Sequence, residues 1–406
     1  MYICVPSQGI NLSPFLSTVA INIDRINHLL QLYKLKKDDF LSRLSEGLKT
    51  PYEEDDVFKS EIKISLLKKI DKIFSKGLNY YIDSKEVKTS KEESIFFRKD
   101  NFNADLNLGS KKIVNHFEEE KISLSAISKL SDIKTERLLP KYSIKNEPSE
   151  VARKIRTQLY PAFNNEKKEF LKSLISKFAD FNILVFEFIE NWNQKEKVNI
   201  NGFYLSPNVI VLKRNKKSFS REIFTLIHEL GHYLLDEEEI DEQTREDSSD
   251  YNSLSRTEQW CNDFAYYFLA GENDKIISNL KIASKENDYH HDVIYSIADK
   301  TNLSVLAIYT RLLINQKISH NNYKNVCKEI WESIKEWERK EQLRREREKK
   351  KAEEEGRKLG GAAAKPIISP LYVKTLQSAF YEGAINESEF CRKLNIKADK
   401  MDKFLQ

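Results

Sequence analysis

The chain has 406 residues, 67 basic and 63 acidic side chains for a formal net charge of +4, and 40% hydrophobic residues that include 22 Phe and 18 Tyr. A single hydrophobic core rarely serves a chain this long, and this apolar content excludes wholesale disorder. The near balance of charge excludes a globally basic nucleic-acid binder, so any such surface has to be local.

The four cysteines, Cys4, Cys261, Cys327 and Cys391, are far apart and form no C-x-x-C pair. Neither a disulfide framework nor a cysteine-based zinc site is expected. The opening stretch "MYICVPSQGINLSPFLSTVAINIDR" has no basic flank before its apolar residues and no membrane-length apolar run. The expectation is a cytoplasmic protein in a reducing compartment, with no membrane partner.

Residues 1–147 read as an N-terminal helical domain, with "INHLLQLYKLKKDDFLSRL" and "EIKISLLKKIDKIFSKGLNYYID" repeating apolar side chains at three- and four-residue spacing. Within it, "KKIVNHFEEEKISLSAISKLSDIKTERLLPKYS" has the rhythm of a helix-turn-helix pair. That rhythm also fits any small bundle, and the glutamates of "FEEE" favour the bundle over a DNA reader. From residue 148, "PSEVARKIRTQL" and "EKKEFLKSLISKF" predict two helices. "NILVFEFI" (182–189) and "GFYLSPNVIVLKR" (202–214), rich in β-branched and aromatic residues, predict strands.

The next helix, "SREIFTLIHELGHYLL", follows the capping candidates Ser218 and Ser220, and it runs into the acidic loop-like stretch that opens "DEEE". "SRTEQWCNDFAYYFLAG" (255–271) predicts another helix, and "DVIYSIADKTNLSVLAIYTRLLINQ" again has the helix-turn-helix rhythm. A charged helix over 327–358 and the linker "LGGAAAKPIISP" precede a last helical module. The expected organisation is 1–147, a core over 148–275, a helix-turn-helix-like unit over 276–318, a charged spacer helix and linker over 319–365, and a C-terminal helical module over 366–406.

Chemistry concentrates in "HELGH". His228 and His232 are four apart, so on a helix both imidazoles leave the same face and can converge on one divalent ion. Zinc suits nitrogen ligands, and a catalytic zinc takes three protein ligands with a fourth position open. Glu229, next to the first histidine, has the placement of a general base in metal-assisted hydrolysis. The competing interpretation is a packed helix face. Glu258 supplies the missing third ligand, and Asn262, one turn further on, shares its face and can hydrogen-bond a ligand. Glu258 would serve equally as an ordinary first-turn acid. Gly231 marks a close approach, of the metal's open side or a neighbouring strand, or else close helix packing. The strand "NVIVLKR", with Val209 and Val211, is the candidate edge for a peptide substrate, or else a core strand.

These residues resemble the ImmA/IrrE family of bacterial metallopeptidases, through "GFYLSPNVIVLKRNKKSFSREIFTLIHELGHYLL" and "EQWCNDFAYYFLAG". The resemblance covers about 148–315, with Cys261 in place of the usual alanine and Glu258, Asn262, Phe264 and Ala265 in step. It implies an α+β, mostly helical fold in which a small mixed β-sheet packs on the HExxH helix in a zincin-like core flanked by helical domains. It also implies a zinc endopeptidase with Zn2+ held by His228, His232 and Glu258, Glu229 catalytic and Asn262 supporting. The implied partner is a helix-turn-helix repressor encoded nearby, cut to control stress, mobile-element or phage-related genes. The alternative is a regulator that binds DNA or a partner without cutting. His290 and His291 read as surface or capping residues, and the basic residues Arg344, Arg345 and Lys349 to Lys351 as part of a solvated spacer.

Overall fold

A computed structural model describes residues 18–87, 106–131, 133, 136–190, 197–214, 219–240, 251, 254–357 and 364–405. Ser218, Cys4 and most of the acidic stretch after residue 240 lie outside them. The fold is α+β and mostly helical, with sheets of two and three strands. Among the described residues no helix is long and apolar enough to cross a membrane.

The chain divides into two compact units, 1–101 and 102–406. In the first, β1 (Thr18–Ala20) pairs antiparallel with β2 (Glu61–Lys63), Val19 opposite Ile62. Helices α1 (Ile23–Leu32), α2 (Lys37–Ser45), α3 (Glu54–Val57), α4 (Ile64–Phe74) and α5 (Leu78–Ile82) surround a core of Ile26, Phe40, Ile70 and Tyr81. The Phe40 and Phe74 rings lie 5.4 Å apart in that core.

The second unit opens with α6 (Leu108–Leu130), one unbroken helix of 23 residues. The helix-turn-helix pair expected from "KKIVNHFEEEKISLSAIS" is therefore not formed. No glycine or proline interrupts that stretch, so nothing offers the backbone a turn. Next come α7 (Pro148–Leu159), with proline in its first turn, α8 (Lys167–Asp180), β3 (Leu184–Ile189), β4 (Gly202–Leu205) and β5 (Val209–Arg214). The sheet order is β3-β5-β4, β3 parallel and β4 antiparallel to the central β5.

Both faces of this sheet are covered, because successive side chains point to opposite sides. Val185, Tyr204, Ile210 and Leu212 join the main core with α8 and the helix α9 (Phe219–Leu235). On the other face, the Phe117 ring of α6 lies 5.2 Å from Phe186 and 6.4 Å from Phe203. The C-terminal helices α15 (Pro370–Tyr381) and α16 (Glu387–Leu394) meet this layer. Tyr372 packs 5.3 Å from Phe186, and buried Lys393 Nζ donates to Ser123 of α6 at 2.9 Å.

The helix α10 (Arg256–Ala270) crosses α9 closely, and α11 (Asn273–Asn279), α12 (His291–Thr301) and α13 (Val305–Ile314) follow. At the crossing, a Cβ on Gly231 would lie 2.9 Å from Cys261 Sγ and 3.2 Å from Cys261 Cα. Gly231 thus serves helix packing rather than a strand. Gly231→Ala is expected to destabilise by about 1–3 kcal/mol through overpacking, read as a lower denaturant midpoint, with Cys261→Ala in the same chain restoring part of the loss. An unchanged midpoint for the single variant would show that the helices do not approach this closely.

The α12–α13 pair has the expected helix-turn-helix connection, with Asn302 in the left-handed region at φ 61°. No residue of α13 is exposed. Its Arg311 pairs with Asp263 at 2.6 Å and lies 4.6 Å from the Tyr266 and Tyr267 ring centres. The helix that a DNA reader presents to the groove is here packed against α10. The spacer α14 (His320–Glu354) is anchored by Tyr323, Val326 and Cys327. Beyond Trp337 it is a polar helix carrying exposed ion pairs such as Arg344–Glu348 at 3.2 Å, which water and salt screen.

Candidate metal centre

The helix α9 is apolar around most of its circumference, with Ile223, Leu226, Ile227, Leu230 and Leu234 fully buried. Burial of this kind fixes the helix without leaving its polar residues to choose their environment. Its C-terminal carbonyls are capped from outside the core: Arg137 Nη2 donates to Tyr233 O at 2.5 Å, and Tyr142 N donates to Leu234 O at 2.8 Å. Glu258 is placed by the start of α10, where its backbone N–H is capped by Ser255 Oγ at 3.1 Å. The first-turn role and the inward carboxylate are both realised.

His228, His232 and Glu258 come together, each offering one ligand atom within 4.8 Å of the others. His228 Nε2 lies 3.1 Å from Glu258 Oε2, His232 Nε2 lies 2.9 Å from Glu258 Oε1, and the two Nε2 atoms are 3.2 Å apart. The opposite ring nitrogens are committed elsewhere. His232 Nδ1 faces the backbone carbonyl of Glu237 at 3.2 Å, and His228 Nδ1 faces Asn262 Oδ1 at 3.1 Å. A carbonyl oxygen only accepts, so each neutral imidazole carries its proton on Nδ1 and turns a bare Nε2 lone pair inward. The carboxylate then meets two acceptors. Glu258 Oε1 and Oε2, and Glu229 Oε2, are buried without a hydrogen-bond donor among the described residues. Such a convergence of lone pairs requires a positive charge among them, and a divalent cation meets that need with ligands of the right type.

The electrostatics lean the same way. Burial opposes the charge of Glu258, yet His228 and His232 hold its carboxyl far below the usual carboxylate range. Burial also opposes protonation of His228, but Glu258 outweighs it and raises the imidazole; at His232 the same opposition is overcome by Cys261 and Glu258. Where no metal neutralises the cluster, a proton does so. Glu229 differs: burial pushes its carboxyl up to about 7, with the two histidines only partly offsetting it. A carboxyl near 7 can both take and give a proton at neutral pH. Burial likewise pushes the neighbouring Cys261 thiol up to about 11, with His232 partly offsetting it.

The cleft holds about 40 Å³ and is lined by these four groups with Asn262, Asn201, Gly202, Phe224, Thr225 and Glu239. Gly202 is required there, since a Cβ would lie 2.6 Å from Thr225 Cγ2 and 3.2 Å from Glu229 Oε1. The pattern of the strand "GFYL" carried that signal. Nothing in the spacing pointed to Asn201, Phe224, Thr225 or Glu239. His290 is elsewhere, its Nε2 against Lys281 O at 3.1 Å, and His291 packs near Asp288.

Val209 and Val211 need correcting as the substrate edge. They lie on central β5, opposite Leu184 and Phe186 on one side and Leu205 and Phe203 on the other, so both backbone edges of that strand are used. The edge strand at the cleft is β4. Lys213 N donates to Asn201 O at 2.7 Å, which fixes the alternation: Asn201, Phe203 and Leu205 face β5, while the N–H and C=O of Gly202 and Tyr204 point outward.

Residues 179–313, about a third of the chain, match the Peptidase_M78 family model, described as the IrrE N-terminal-like domain. Over this segment the chain is similar to the M78 peptidases. The M78 family is a zinc-type metallopeptidase family, and the matched span holds the whole three-stranded sheet, the HExxH helix, Glu258 and nearly all of the α12–α13 pair. No curated protein and no solved structure matches the chain.

Proposed function

We propose that the protein is a zinc-dependent endopeptidase that hydrolyses a peptide bond in a protein partner. The observation that carries this is the convergence of the His228 and His232 Nε2 atoms on the buried Glu258 carboxyl at 3.1 and 2.9 Å, with the buried carboxyl of Glu229 beside them. His228, His232 and Glu258 would hold the ion, and Asn262 and the Glu237 carbonyl would orient the imidazoles. A zinc ion in such a site supplies Lewis acidity toward water and the peptide carbonyl. Glu229 takes a proton from the attacking water and returns it to the leaving nitrogen. The outward backbone groups of Gly202 and Tyr204 align the substrate strand beside it.

The resemblance to ImmA/IrrE proteins supports a cytoplasmic role and a helix-turn-helix repressor as the substrate, cut to release stress, mobile-element or phage-related genes. Zinc-loaded protein incubated with the product of a neighbouring repressor gene is expected to make one specific cut, absent after chelation and restored by zinc. A second reading, a regulator that binds DNA or a partner without cutting, predicts an intact repressor and a cellular phenotype indifferent to chelation. Burial of α13 weighs against that reading.

A further inference from the structure

The acidic stretch that ends α9 does not enter solvent directly. Asp236, at φ 56°, turns the chain back over the far end of β4, where its Oδ1 accepts from Tyr204 Oη at 3.0 Å and Ser206 Oγ at 3.1 Å. Glu237 contributes its carbonyl to His232, and Glu238, only 8% exposed, accepts the Ser206 N–H through Oε1 at 2.8 Å. The Ser206 carbonyl is taken as well, by Lys121 Nζ of α6 at 2.9 Å. Ser206 follows Gly202 and Tyr204 in the alternation of outward-facing residues. It is the next place where an added strand would exchange a pair of backbone hydrogen bonds. Both of its groups are occupied by side chains, and the residue after it is Pro207, which has no N–H to offer.

We propose that Glu238, with Lys121, closes the substrate groove and so determines how much of a substrate the enzyme reads. The proposal rests on the peptidase reading above. A peptide laid on β4 pairs with Gly202 beside the metal ligands and with Tyr204 two residues on, and there the ladder ends. Two outward pairs span about three residues of an added strand, because pairing positions recur every second residue. The fitting substrate is an extended segment whose recognised side is short, such as a loop or linker between folded units, and further residues on that side contribute no backbone pairing.

The test uses synthetic peptides built around one bond that the zinc-loaded full chain cuts in a random dodecapeptide mixture, lengthened one residue at a time on each side. For the native protein, kcat/KM is expected to rise up to about the third residue on one side and then to stay level within about twofold. In a Glu238→Ala, Lys121→Met double variant the fourth and fifth residues should add about fivefold or more, as freed backbone groups at Ser206 take up the strand. Glu238→Gln, which keeps an acceptor oxygen, should retain the plateau. A native profile that keeps climbing through the fifth residue on both sides overturns the proposal, and the native series decides this even if the double variant does not fold. The same plateau in a double variant that melts like the native protein also overturns it. Failure of the zinc-loaded chain to cut any peptide is a different outcome, since it removes the peptidase reading itself.

Discussion

Glu229→Gln is expected to bind one equivalent of zinc as the native protein does while losing about 10²–10⁴-fold in peptide cleavage, the range that a positioned general base supplies. The separation of the two readouts is structural. Glu229 is not among the three ligand atoms that converge, so its charge is not needed to hold the ion. Its carboxyl is buried beside the cluster, with Oε2 lacking a donor among the described residues, and burial pushes it up to about 7. Glutamine keeps the volume against Gly202 and Thr225, where a larger change would push on β4. Zinc content by elemental analysis and cleavage rate should therefore part company. Full cleavage by the variant would remove Glu229 from the mechanism.

Glu258→Ala is expected to lose the metal altogether, an effect larger than the 10–100-fold that loss of a supporting partner such as Asn262 costs in affinity. Glu258 is the only anionic ligand atom of the three, and it closes the site from a second helix. Without it, two neutral imidazoles on α9 remain, too few for a three-ligand zinc site. Zinc at 100 times its Kd stabilises the native fold by about 2.7 kcal/mol, so the native protein should melt higher with added zinc and the variant should not. A variant that still shows the zinc-dependent rise would mean that the ion sits on other residues.

The sequence displayed this site because its grammar is local. His228 and His232 are one helical turn apart, and Glu258 and Asn262 repeat that interval on the partner helix, so two short windows held all the candidate ligands. The order of strands was not visible in the same way. "GFYLSPNVIVLKR" reads as strand, but which part of it is central depends on the parallel partner Leu184–Ile189, brought alongside from outside that stretch. Hydrophobicity gave no help, since Phe203 on β4 and Val211 on β5 are both fully buried. The rhythm of "KKIVNHFEEEKISLSAIS" suggested two helices with a turn between them, yet the stretch runs on as one helix, with Phe117 and Ile127 packed in the core. The acids after α9 misled for a related reason: charge pattern speaks for water, whereas Asp236 and Glu238 are consumed as acceptors by groups distant in sequence.

The salt bridge of Arg311 has a thermodynamic corollary. It ends on Asp263, whose neighbour Asn262 holds the Nδ1 proton of His228, so the seating of α13 and the poise of a metal ligand share one helix turn. Coupling of this kind is reciprocal. An ion held at the candidate site would favour the docked α13 by the same free energy by which docking favoured the ion.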